Sequence, residues 1–430
     1  MFLTVGSCIK YPQGLDMRVF QREQGGLVTE LFADFKHPLD DVRVVEMGQL
    51  LAGPFCGQLL GDFGADVIKL EMPVAGDPIR KWGRAHVDGR PLWWPIVGRN
   101  KRSVTCDVRT PEGQDVARRL IAQADVLVEN FRPGTLERWG LDYETLSSTN
   151  PGLIMVRVSG FGQSGPYRNR PGYGSIGEAM GGLRYITGHP ELAPSRCGIS
   201  IGDSLTATFA CLGAMVALHH RERTGRGQVV DAAIFESVLA VMESSVPEWV
   251  LGGIVRERTG SRLPGVAPSN VYPTADGDMV LIAANADSIF SRLLHLMGQH
   301  DLAENADFLS HESRNDQSDE IDRMIGEWTR AQTTAECLRR LEDAAVPAGL
   351  IYTAAQMVDD PHFIARDSIT WVQHEEISDF PMQNVFPRLS ASPGGIRWTG
   401  ARLGQHTNEV LSEVGYTPTE IADLRENGAI

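Results

Sequence analysis

The sequence predicts an α/β protein: a parallel sheet with helices on both faces, followed by a smaller second domain. Short β-rich runs alternate with helical patterns from about Asp41 to Val158, which is how a helix-covered parallel sheet reads. Past a loop rich in glycine, proline and arginine, Gly252 to Tyr272, the pattern changes to a hairpin, three helical segments and a strand. With 430 residues the chain has room for two or three domains and a large core.

Val42 to Met47 is the first strand, Pro54 to Gly61 a helix among glycines, and Asp66 to Glu71 (DVIKLE) the second strand. Together they make a βαβ unit. A loop follows, PVAGDPIRKWGR, then an aromatic pair at Trp93 and Trp94, and a third strand at Ser103 to Val108. Thr110 caps the next helix, with Pro111 at its first position, and the helix runs to Ala124 on Val116, Leu120 and Ile121. Asp125 to Phe131 and Leu153 to Val158 are strands, with a short helix opened by Pro133-Gly134-Thr135 between them. Ligands of such a sheet bind beyond the carboxyl ends of the strands. Gln228 to Val250 reads as one long helical segment and Thr274 to Ala284 as a hairpin. Ser288 to Met297, Glu320 to Ala331 and Thr334 to Ala345 read as helices, Val346 to Tyr352 as a strand, and Pro418 to Glu426 as a final helix.

Gly160-Phe161-Gly162-Gln163-Ser164-Gly165 fits the dinucleotide fingerprint GxGxxG, which must open a helix to bind a pyrophosphate. Here it runs into Pro166-Tyr167-Arg168-Asn169-Arg170-Pro171, so it is a glycine-rich loop and not a nicotinamide or flavin site.

The segment Gly198 to Gly227 holds a candidate nucleophile. Asp203 stands at the head of a helical pattern on Leu205, Phe209, Leu212, Met215, Val216 and Leu218, which stops at Arg221 to Gly227. An aspartate there is an N-cap or first-turn residue, and capping alone explains it. The helix dipole also keeps such a carboxylate ionised, and away from water it can act as a nucleophile.

Composition narrows the function classes. A formal net charge of −15 argues against broad nucleic-acid binding, while leaving room for a local basic pocket. The cysteines (Cys8, Cys56, Cys106, Cys197, Cys211, Cys337) form no CxxC pair and read as reduced core residues of an intracellular protein. No HExxH or Cys/His cluster suggests a metal, and no apolar run reads as a membrane span. Residues 1–37 carry Lys10, Arg18, Arg22 and Lys36, but also Asp16, Glu23, Glu30 and Asp34, which a transit peptide avoids. A plain N-terminal extension is the preferred reading, with a cytoplasmic or mitochondrial location expected.

From Leu50 to Asp367 the chain resembles the class III CoA-transferases of the formyl-CoA transferase, CaiB–BaiF type. The matching pieces, in unbroken order, are LLAGPFCGQLLGDFGADVIKLE, GDPIRKW, NKRSVTCDVRTPEG, ADVLVENFRPGTLERWGL, SGFGQSGP, GDSLTATFACLGAMVALHHRERTGRGQVVDAAIFES and DDPHFIARD. The resemblance implies a homodimer of interlocked chains. Each chain would have a Rossmann-like large domain over residues 38–255, a small α+β domain over 256–355, and a segment, 356–430, returning to the large domain. It implies that Asp203 of the GDS motif is the catalytic nucleophile. Coenzyme A would contact Leu51 and Ala52, Met72, the run Cys106, Asp107, Val108 and Arg109, then Asn130, Phe131 and Arg132, Arg138, and the loop Pro171, Gly172, Tyr173 and Gly174. Trp82 and Tyr173 would lie near the acyl group. Acyl-CoA and a carboxylic acid would be the substrates, with no tightly bound cofactor. Taken singly, Arg109 and Arg138 read equally as solvated arginines, Asn130 and Phe131 as strand-end packing, and Trp82 as a core or loop aromatic.

Departures from the formyl-CoA transferase pattern bear on the substrate. A Tyr-Glu pair of those enzymes is Tyr173-Gly174 here, a glutamine before AGP is Leu51, a CoA-site arginine falls at Met72, and a run of glycines is replaced by Gly260 to Thr274. The expected acid is therefore larger than formate: a short dicarboxylate such as succinate, glutarate, itaconate or citramalate, with succinyl-CoA as donor. Arg262, Ser269 and Asn270 are candidates for holding the second carboxylate. Two other readings are an α-methylacyl-CoA racemase, whose catalytic histidine falls at Tyr173, and a non-catalytic subunit of a hetero-oligomeric transferase.

Overall fold

The computed structural model describes residues 37–430 apart from Pro264 and Ser378. The expected N-terminal extension, 1–37, lies outside the described residues except for His37. The strands β1 (Arg43–Glu46), β2 (Asp66–Glu71), β3 (Lys101–Thr105), β4 (Val126–Glu129), β5 (Ile154–Ser159) and β6 (Val229–Ala233) form one sheet. Its order is β3-β2-β1-β4-β5-β6, and every pairing is parallel. This is the doubly wound order, in which the winding reverses between β1 and β4.

The strands are buried on both faces, and alternate side chains divide between two cores. Val45, Ile68, Leu70, Leu127 and Met155 meet the helix α2 (Pro111–Ala122) through Val116, Leu120 and Ile121. Val44, Val67, Val126, Ile154 and Val156 meet α1 (Ala52–Asp62) and α4 (Ile201–Thr224). Between α2 and α4 in sequence, α3 (Gly174–Met180) packs beside α4. Thr110 accepts a hydrogen bond from the Gly113 N–H, with Pro111 at the first position, as the capping signal requires. The final helix, α5 (Pro418–Glu426), starts on a capping box between Thr417 and Glu420. Val410, Leu411, Tyr416 and Ile421 bring this end of the chain back against the first core.

Three expectations are corrected. The long helix expected over Gln228 to Val250 is instead the edge strand β6 and two helices, Ile234–Leu239 and Ser245–Gly252. The run Val229-Val230 suits a strand, and Gly227 allows it to pass against the Leu153 carbonyl, where any Cβ would collide. The third strand begins at Lys101 and ends at Thr105, so Cys106, Asp107 and Val108 lie beyond its carboxyl end. The apolar pattern of α4 also points the other way. Ala207, Ala210, Ala214 and Ala217 face the sheet, while Phe209, Leu212, Met215 and Val216 are exposed. Small residues let the helix lie close, and at Gly213 a Cβ would meet Val230 at 2.6 Å. At 24 residues and mean hydropathy 1.6, α4 is in fact long and apolar enough to cross a membrane by composition.

The second sheet is antiparallel, with β7 (Ser269–Pro273), β8 (Met279–Ala283) and β9 (Ala348–Leu350) in the order β9-β8-β7. The hairpin is therefore displaced from its expected place, with its turn at Thr274 to Asp278. Helices Asp287–Leu296, Ser318–Arg330 and Thr334–Asp343 match the expected ones within a few residues. They enclose a separate core of Tyr272, Val280, Ile282, Phe290, Leu293, Ile321, Ile325 and Leu341. Three short helices between His300 and Asp316 carry no sequence signal strong enough to read.

Candidate active site

Ser200 holds the N-cap position of α4 and Asp203 is the third helical residue. Asp203 does not cap the helix: among the described residues its carboxylate has no hydrogen-bond partner. It is pressed instead against the backbone of Gly174, the first residue of α3. A Cβ on Gly174 would overlap the Asp203 carboxylate, lying 2.7 Å from Cγ and 2.9 Å from Oδ1, and closer still to Oδ2. Glycine is the residue this contact admits. The loop ahead of it is fixed in the same way, since a Cβ on Gly160 would sit 3.0 Å from the Cα of Gly172. The glycine-rich loop after β5 thus supports Pro171 to Gly174, and that loop supports Asp203. Tyr173 projects outward, 66% exposed.

Charge around Asp203 is asymmetric. Glu178, one turn along α3, is buried, accepts from the Gly202 N–H at 3.3 Å and is bridged by Arg184 at 2.9 Å. Burial and the neighbouring Glu178 charge push the Asp203 carboxyl up to about 6, against the pull of Arg196. At neutral pH the group is still mainly ionised. It is therefore a partly buried carboxylate at a helix N-terminus, with no hydrogen bond to it among the described residues.

Several of the other predicted residues gather at the carboxyl edge of the sheet, beyond the ends of β1 to β4, where the winding reverses. A cavity of about 170 Å³ there is lined by Met72, Cys106, Val108, Arg109 and Phe131 from the predicted set. Met47, Gln49, Leu70 and Trp139 complete the lining, and sequence reasoning missed them. Met47 and Gln49 directly follow β1, which a strand-end rule finds once the strand order is known. Leu51 takes the N-cap position of α1, and Ala52 is buried behind it. Asn130 is committed to structure: its Oδ1 accepts from the Gln49 N–H and its Nδ2 donates to the Gln49 carbonyl, both at 2.8 Å. It latches the ends of β1 and β4 together, as its packing reading requires. Phe131 meets Trp139 edge-on at 5.1 Å. Asp107 grips Arg109 through two bonds of 2.8 Å, leaving a largely exposed guanidinium at the cavity mouth. Arg132 and Arg138 are exposed nearby in sequence, with Arg138 donating to Thr135 Oγ1 at 3.1 Å.

Neither Asp203 nor Trp82 lines this cavity. Trp82 is half exposed beside Trp93, with ring centroids 6.5 Å apart. The assignment of Arg262 and Asn270 to a second carboxylate is not supported. Arg262 bridges Asp319 at 2.6 Å and Asp322 at 2.5 Å, and Asn270 donates to Asp322 at 2.8 Å. Two acids three residues apart on helix Ser318–Arg330 already answer that charge. Ser269 begins β7 at the margin of the same cluster.

The pattern of CoA-transferase family III matches residues 39–407, and the chain belongs to that family. It is 58% identical over 394 residues to the succinyl-CoA–D-citramalate CoA-transferase of Chloroflexus aurantiacus, covering 91% of this chain and 98% of that one. It is 42% identical over 397 residues to the beta subunit of the succinyl-CoA–L-malate CoA-transferase of the same organism, covering 91% and 98%. Among solved structures, a CaiB/BaiF family protein from Brucella suis superposes with a TM-score of 0.78 at 35% identity, covering 88% of this chain and all of that one. The chain is thus an acyl-CoA:carboxylate CoA-transferase, with CoA thioesters as substrates.

Proposed function

We propose that this CoA-transferase moves CoA from succinyl-CoA to a short dicarboxylate, with citramalate the first candidate and malate the second, through covalent intermediates on Asp203. The observation that carries the reading is the uncommitted carboxylate of Asp203, packed on Gly174 at the head of α4. The names of the two Chloroflexus relatives support the donor and the class of acceptor.

One oxygen of the Asp203 carboxylate attacks the thioester carbonyl carbon, the carbon–sulfur bond breaks, and CoA leaves as thiolate. The product is a mixed anhydride between Asp203 and the acyl group. The thiolate then attacks the aspartyl carbonyl carbon, releasing succinate and leaving an aspartyl-CoA thioester. An acceptor carboxylate attacks that thioester carbonyl and forms the second anhydride. The returning thiolate takes the acceptor acyl carbon and restores the Asp203 carboxylate. Each step exchanges one acyl bond for another, so thioester energy is conserved as long as water is kept out. CoA would lie across the cavity at the carboxyl ends of β1 and β4, its phosphates toward Arg109, Arg132 and Arg138. The exposed apolar face of α4, with Trp249, Val250 and Leu251 nearby in the chain, supports a homodimer in which the second copy covers it. An interlocked arrangement remains part of this proposal.

The test is exchange measured by mass spectrometry, with succinyl-CoA and a panel of carboxylic acids. Citramalyl-CoA and free succinate are expected in equal amounts, and kcat/KM for the donor is expected to fall about tenfold per pH unit below about 6. A rate that is flat from pH 7 down to 4.5 would remove Asp203 as the nucleophile. Replacing Gly174 with alanine should displace the carboxylate, which is the flexible partner in that contact. Turnover is expected to drop about ten- to hundredfold, with the melting temperature little changed. An unaffected kcat would show that the Gly174 contact does not set the attack geometry.

A further inference from the structure

A transferase that selects dicarboxylates must recognise the carboxylate that does not react, and a cation close to the nucleophile is the direct means. Four arginines of the segment 184–262 differ in how their guanidinium groups are occupied. Arg184 is held by Glu178 at 2.9 Å. Arg258 donates to the Tyr185 carbonyl at 2.9 Å and lies 5.5 Å from the centre of the Tyr185 ring. Arg262 is saturated by Asp319 and Asp322. Arg196 is exposed, and its one hydrogen bond, to Ser200 Oγ, is long at 3.3 Å. No carboxylate pairs with it among the described residues.

Ser200 is the N-cap of α4, so this contact holds Arg196 over the helix end that carries Asp203. Asp203 lies in the first turn after Ser200, so the two groups share one helix end without being bonded to each other, and the Arg196 charge works against the upward shift of the Asp203 carboxyl. The acid next to them, Glu178, is closed off by Arg184 and the Gly202 N–H. One acid–arginine pair at the head of α4 is therefore closed and the other is open.

We propose that Arg196 is the specificity-determining residue for dicarboxylates, receiving the distal carboxylate of the acid while the proximal one meets the aspartyl group of Asp203. This rests on the reading of the protein as a dicarboxylate CoA-transferase. The distal carboxylate supplies the anionic partner that the chain itself withholds from Arg196, and a monocarboxylate of the same length leaves it unpaired.

The experiment compares citramalate with 3-hydroxy-3-methylbutyrate, in which a methyl group replaces one carboxylate, using succinyl-CoA as the donor. In a two-step exchange, kcat/KM for the acceptor reports on the aspartyl-CoA form alone, so effects on the donor drop out. Arg196→Gln is expected to lower kcat/KM for citramalate by about 30- to 100-fold and that for the monocarboxylate by less than about threefold. Arg196→Lys should recover part of the citramalate rate. Because Arg196 is exposed, all three proteins should melt together. If the glutamine variant keeps the citramalate preference, or loses both acids equally, Arg196 does not read the distal carboxylate. If the unaltered protein shows no preference for citramalate, the dicarboxylate reading itself fails, and that outcome is seen before any variant is made.

Discussion

Asp203→Asn is expected to reduce CoA transfer by about a thousandfold or more and, at neutral pH, to make the protein more stable. The first effect follows from the chemistry. An amide oxygen does not displace a thiolate from a thioester, and the neighbouring Glu178 carboxylate is not free to act, since it is held by Arg184 and the Gly202 N–H. The second effect follows from proton linkage. The Asp203 carboxyl is raised from 3.8 to about 6 by burial and by Glu178. A group raised in the folded state favours folding fully below its unfolded value and loses that contribution as pH rises through the folded one. At pH 7 the ionised side chain therefore opposes folding, by up to about 3 kcal/mol, less where water and Arg196 screen it. The asparagine variant should melt higher than the parent at pH 7, and the difference should vanish by about pH 4. Thermal melts at the two pH values, alongside the exchange assay, separate the cases. A variant that is inactive and melts lower at pH 7 would mean that Asp203 serves the fold.

This opposition explains why Asp203 was legible in the sequence while its surroundings were not. A helix start is local, and an acid in the first turn can be seen from residue order alone. What would fit that acid for the proposed role of nucleophile is nonlocal. Gly174 removes a side chain from its path, and Glu178 contributes its charge from another helix. The same division runs through the fold. The βαβ rhythm, the Thr110 cap and the Thr417 capping box are short-range signals, and the structure has them in place. The edge strand β6 was read as helix because Gln228 to Val250 carries enough apolar residues for either pattern. Its pairing with β5 is decided by a glycine crossing at Leu153 that no single-segment reading contains. Arg262 and Asn270 looked available because their partners, Asp319 and Asp322, stand some fifty to sixty residues away in the chain.

Lys69→Met is expected to cost about 3–5 kcal/mol of stability and to weaken acyl-CoA binding without moving the acid limb proposed for Asp203. Lys69 is buried in β2 and in register with Glu46 of β1. Burial alone would lower its hold on the proton, but Glu46, Asp77 and Glu71 surround it and hold the ammonium well above its ordinary range. Its Nζ lies 2.8 Å from each of Glu46, Asp77 and the Gly48 carbonyl. Glu46 has a second cation, Lys101, also at 2.8 Å. Asp77 has no other cation within ion-pair distance among the described residues, so the substitution strands its charge in the interior. Asp77 Oδ1 in turn accepts from the Leu50 N–H at 3.0 Å and the Ile79 N–H at 2.9 Å. Leu50 occupies the left-handed region, φ 65°, which a leucine adopts only when held there. Freeing Asp77 thus loosens the turn that delivers Gln49 and Leu51 to the candidate CoA site. Denaturant unfolding and KM for succinyl-CoA should both respond, because one buried charge balances the sheet and shapes the cavity edge. A loss below about 1 kcal/mol with KM unchanged would mean that the charges reach water, and that Leu50 keeps its conformation without Asp77.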